Sequence, residues 1–123
     1  MRKNTSRSGK RAEVFATKEL HKQGYTVTRA HLSRGAANLI AWKPDSEKVR
    51  FVQVKFQSHE DKKNWNRWGQ PSAVKRIADE FIEAKLPPNG VGELWVWRSN
   101  KGWTKQEQLV KGNLVEGSDE HEN

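Results

Sequence analysis

Apolar positions recur along this chain with two periods, and the places where the period changes mark its elements. Ala12, Phe15, Ala16 and Leu20 return at helical spacing, which predicts a helix over residues 9–23, with Gly24 as its C-terminal stop. Three short strand-like segments follow at 25–30, 37–43 and 49–57, separated by Gly35 and by the turn signal Lys43-Pro44-Asp45. The second and third of these are expected to form a hairpin. Residues 58–70 are polar and charged, hold Trp65, Trp68 and Gly69, follow neither period and read as a long loop. Pro71 then suits a helix start, and Val74, Ile77, Ala78, Phe81 and Ile82 repeat at i, i+3, i+4, i+7 and i+8 until Pro87 and Pro88 end the pattern. Segments 91–98 and 102–110, joined by Ser99-Asn100-Lys101, predict a second hairpin with Gly102 in a bulge-type position. The order α-β-β-β-α-β-β points to an α/β domain, with a central mixed sheet flanked by two main helices.

Composition narrows this picture. The chain has 123 residues, enough for one domain, with 33% hydrophobic and 31% charged residues, so the core depends on large side chains such as the six Trp. No Cys is present, which excludes thiolate metal sites and disulfides and makes an intracellular, cytoplasmic setting the simpler expectation, in an archaeal, bacterial or phage-infected cell. No signal peptide and no membrane association are expected, because no apolar run reaches about 18 residues. The four His are scattered without metal-ligand spacing, and no Gly-rich phosphate loop occurs.

Charge changes it further. The net charge is +8, yet residues 116–123 hold four acids and no Lys or Arg. Such a basic excess outside the tail fits a polyanion binder, since neutralising phosphates releases condensed counterions. Residues 1–11, with Arg2, Lys3, Arg7, Lys10 and Arg11, read as a flexible basic arm; residues 12–110 form the folded domain; and residues 111–123 read as an acidic, disordered tail.

Within the strand at 49–57, alternation places Phe51, Gln53, Lys55 and Gln57 on one face, with Gln53 and Lys55 roughly 7 Å apart. A lysine inside an apolar strand needs a task or a partner, unless it guards an exposed sheet edge. Asn38 opens the neighbouring strand and is placed to meet Gln53 across the hairpin, although Asn at a strand start is also ordinary turn chemistry. Glu13 borders the apolar stripe of the first helix and can look toward the sheet, or lie on the surface near the helix N-terminus.

Together these residues resemble the PD-(D/E)xK nuclease superfamily and, within it, the archaeal-type Holliday junction resolvases, over about residues 9–109. The matching stretches are G-K-R-A-E, V-T-R-A-H-L-S-R-G-A-A-N-L-I-A-W and F-V-Q-V-K-F, with W-V-W-R-S-N-K-G-W a less specific match. The family pattern is a helix Glu, a strand-opening Asp and then Glu-x-Lys. The resemblance implies that Glu13, Asn38 and Gln53 stand where Mg²⁺, or Mn²⁺ as its substitute, is held, and that Lys55 orients the attacking water. It also puts Ser33 and Arg29 near the scissile phosphate. Asn38 and Gln53 are amides at positions where the family has carboxylates, isosteric with them but uncharged, although Gln-x-Lys resembles a variant within the broader superfamily.

The expected activity is structure-selective hydrolysis of four-way DNA junctions by a homodimer, matching the two-fold symmetry of the substrate. The alternatives are a non-catalytic DNA-binding module on the same scaffold, and a nuclease of other DNA or of RNA. Arg34, Lys62, Lys63 and Arg67 join the basic arm as expected DNA contacts, in loops where bases alternate with aromatics. Trp95, Trp97 and Trp103 are expected to fill either the dimer interface or the core.

Overall fold

The structure is a computed structural model that describes residues 2–30, 38–58 and 67–112, with backbone alone for residues 2–8. Its elements are α1 (Arg2–Lys22), β1 (Thr26–Arg29), β2 (Leu39–Trp42), β3 (Val49–Gln57), α2 (Pro71–Ala84), β4 (Gly90–Arg98) and β5 (Gly102–Lys111), with one 3-10 turn at Arg67–Gly69. The order is the one the periods predict. The strands form a single sheet, β1-β2-β3-β4-β5. All neighbours are antiparallel except β3 and β4, which are parallel and joined through α2, because parallel neighbours require a crossover. The mixed sheet with two helices is therefore as expected.

Each helix takes one face of the sheet. Ala12, Ala16 and Leu20 of α1 pack with Leu39, Ala41, Val52, Val54 and Trp95. On the opposite face Ile77 and Phe81 of α2 pack with Phe51, Leu94 and Val96. β3 thus sends even-numbered residues to α1 and odd-numbered ones to α2, by the two-residue period of a strand.

Three points differ from the pattern, and the first is that β5 runs through Lys111, the opening residue of the expected tail, because Lys111 pairs with Val91 at the start of β4. α1 begins at Arg2, not Gly9, so the basic residues of the expected arm ride on helical backbone. Residues 2–8 contain no Pro, and extending a nucleated helix adds one backbone hydrogen bond per residue without needing an apolar stripe. Ile82, expected within the α2 stripe, is 61% exposed. Phe81 seats directly on Gly92, and the next residue is rotated about 100° away from that contact.

The α1 side also buries a polar network. Arg50 donates to both carboxylate oxygens of Glu93, at 2.7 and 2.9 Å, and the Trp95 indole N–H donates to the same group at 2.9 Å. Glu93 is therefore a structural anion, and its hydrogen bond holds the Arg50 guanidinium firmly protonated. Trp95 is 1% exposed, which assigns it to the core. Trp97 and Trp103 pack against that same core, stacked edge to face with ring centroids 4.9 Å apart.

Candidate nucleic-acid interface

Asn38 stands one residue before β2, and its backbone already joins both neighbouring strands. Its N–H donates to the Val52 carbonyl at 3.1 Å, and its own carbonyl accepts from the Ala30 N–H at 3.1 Å. The side-chain Oδ1 then accepts the Val54 N–H at 2.9 Å. A buried backbone donor must be satisfied, and past the end of β2 a side-chain oxygen does so. The register Leu39↔Val52 sets Asn38 beside Gln53, as the sequence expectation had it.

Gln53 is 4% exposed and follows Phe51 on the α2 side of β3. Lys55, two residues on, is half-buried, with its Nζ 5.4 Å from the Trp68 ring centroid. Burial lowers the Lys55 pKa; Glu80 opposes this, while Arg67 and Arg76 add to it. Arg67, exposed on the 3-10 turn, lies with its guanidinium carbon 5.1 Å from the same indole. Among the described residues, the charges acting on Lys55 are Arg67, Arg76 and one carboxylate, Glu80, a balance that favours an anion. The part played by Arg76 and Glu80 escaped the sequence reading, although their i, i+4 spacing on an amphipathic helix was the available signal.

Glu13 lies elsewhere. It is on α1, over the opposite face of the sheet, where its Oε1 is 3.1 Å from the Nε of Arg29. The structure therefore sets Asn38, Gln53 and Lys55 on one face of the sheet, and pairs Glu13 on the other face with Arg29, which lies opposite Leu39. Lys10 and Arg11 are exposed on α1. The side chains of Arg2, Lys3 and Arg7, and all of Ser33, Arg34, Lys62, Lys63 and the acidic tail beyond Gly112, lie outside the described residues.

A hard divalent cation such as Mg²⁺ requires mainly anionic oxygens in near-octahedral array. The two residues brought together at the expected position are neutral amides, with one amide oxygen already committed to Val54, and the nearest expected carboxylate is bound to an arginine. Among the described residues no three His, Asp or Glu side chains converge as a metal-ligand group. Among the described residues, those gathered at the expected position do not fit Mg²⁺ or Mn²⁺.

No protein-family model matches the chain, and no curated protein matches it significantly.

Proposed function

We propose that the protein binds branched DNA, with the four-way junction as its fullest target, as a homodimer on a scaffold resembling that of junction-resolving endonucleases, and that the amides at positions 38 and 53 withhold hydrolysis. The observation that carries this reading is Lys55, half-buried on the sheet face with Arg67 and Arg76 near it and two uncharged amides beside it. Carboxylates in place of Asn38 and Gln53 would each repel a phosphate oxygen about 7 Å away by roughly 2 kcal/mol at an effective dielectric near 20. Removing those charges weakens cation binding and strengthens phosphate binding. Phosphate contacts of this kind position a protein by shape, so weak sequence preference is expected.

The second reading is a structure-selective endonuclease whose hydrolytic form carries acids at 38 and 53. It is favoured by the two-residue spacing of Gln53 and Lys55 on one face, and by the lowered pKa of Lys55, which suits a group working on water or developing charge.

Binding and cleavage of labelled four-way, linear and single-stranded DNA separate these readings, using the native sequence, Asn38→Asp, Gln53→Glu and the double variant, each with Mg²⁺, Mn²⁺ or chelator. The native chain should retain the junction more tightly than linear DNA and leave it intact. The double variant should bind more weakly in chelator and introduce paired nicks with Mg²⁺. Metal-dependent nicks by the native chain would replace the binding-only reading with the enzymatic one. Failure of the native chain to retain any of the three DNAs would end both.

A further inference from the structure

On the α2 side of the sheet, beyond Lys55, the carboxyl ends of the parallel strands β3 and β4 border a cavity of about 290 Å³. Gln57, Trp68, Arg98, Lys101, Thr104 and Lys105 line it, and no acidic residue lines it among the described residues. The crevice outside the carboxyl ends of parallel strands is where open α/β sheets commonly receive ligands. This volume sits at the small end of the range for ligand sites, about 300 Å³, the scale of one sugar-phosphate unit and far below a duplex groove.

Strand register explains how three cations reach one place. Lys55 pairs with Val96, and Val96 pairs with Lys105, so Lys55 and Lys105 share a face two strand spacings apart, about 10 Å. The next row holds Gln57, Arg98 and Gly102, and Lys101 sits in the hairpin turn beside them. Lys105 occupies its position because of a bulge. Trp103 opposes Trp97, yet Lys105, not Thr104, opposes Val96, so one extra residue is inserted in β5. Without it, alternation would turn Lys105 to the α1 side, since a one-residue slip exchanges the faces of a strand. Thr104 anchors the insertion by donating its hydroxyl to the Val96 carbonyl at 3.3 Å. Lys105 also meets Glu107 at 2.8 Å, a partly exposed ion pair that contributes little to stability and that an incoming phosphate can displace.

We infer that this cavity is a phosphate-binding subsite for the DNA strand that passes Lys55, receiving the neighbouring backbone phosphate between Arg98, Lys101 and Lys105 under Trp68. The inference rests on the DNA-binding reading above and adds the β4–β5 hairpin to the interface, a segment that the sequence had marked as a hairpin but not as a DNA contact.

The salt dependence of DNA binding tests it. Each phosphate contact contributes about 0.9 to the slope of log affinity against log salt. The pair Lys101→Ala/Lys105→Gln should lower that slope by about 1, the share of the single phosphate the cavity receives, and weaken binding throughout the titration. The charge-matched pair Lys18→Ala/Lys22→Ala on exposed positions of α1 should leave the slope unchanged. Lys101→Arg/Lys105→Arg should restore native behaviour, which separates loss of charge from damage to the hairpin. An unchanged slope in the first pair, or equal losses in the first and second, overturns the subsite while leaving the DNA reading intact. Absence of DNA binding by the native chain overturns both.

Discussion

When the chain folds, Lys55 moves from water to a sheet face beside an indole, and desolvation disfavours its charged form there. Its pKa in the folded protein lies below the ordinary 10.5, so between the lowered value and 10.5 the unfolded chain binds more protons than the folded one. The Lys55 contribution to stability is therefore unfavourable at neutral pH and improves as pH rises through that window. Lys55→Met keeps the volume and removes the charge. It should unfold at higher urea than the native protein at pH 7, with the difference shrinking toward pH 10.5, while its DNA salt slope falls by about 1. A lower urea midpoint at pH 7 would show that the contacts with Trp68 and Glu80 outweigh the lost hydration. A stability gain paired with a binding loss would mark Lys55 as a residue held for its chemistry.

At the scale of elements, the seat of α2 on the sheet is set by one absent methyl group. A Cβ on Gly92 would lie 2.6 Å from the Phe81 ring, a distance that side chains do not tolerate without movement. Gly92→Ala should therefore lower stability by about 1–3 kcal/mol, as overpacking does, seen as a fall in the thermal midpoint. Because α2 also carries Arg76 and Glu80 toward Lys55, DNA affinity should fall along with it. The same contact shows what the sequence conveyed and what it did not. Hydrophobic period announced both helices and all five strands, since burial on a face repeats at a fixed interval; Val49–Gln57 matched to the residue. Alternation alone also placed Gln53 beside Lys55. It did not show that Ile82 would be turned outward, because that depends on how deeply Phe81 sinks, nor that Lys105 would change face, because a bulge breaks the very period being read. The exposure of Glu13 to Arg29 across a helix-strand contact was equally outside the reach of one-dimensional spacing.

For the molecule as a whole, the charges act together over distances that no single contact spans. The net charge of +8 includes a segment, residues 116–123, with four acids and no Lys or Arg, and outside it Lys and Arg outnumber acids by about two to one. On the proposed DNA-binding reading, an acidic segment tethered to a basic domain would compete for the surfaces that phosphates occupy. Its influence must fade with ionic strength, because the Debye length shrinks from about 30 Å at 0.01 M to about 3 Å at 1 M. Deleting residues 116–123 should therefore speed association with four-way DNA severalfold at low salt, with the two chains converging as salt rises. The expected gain is in the on-rate, since long-range attraction acts on encounter more than on the docked complex. Equal on-rates at every salt concentration would mean that the acidic segment does not meet the basic faces, leaving Lys55 and its neighbours open to DNA without competition.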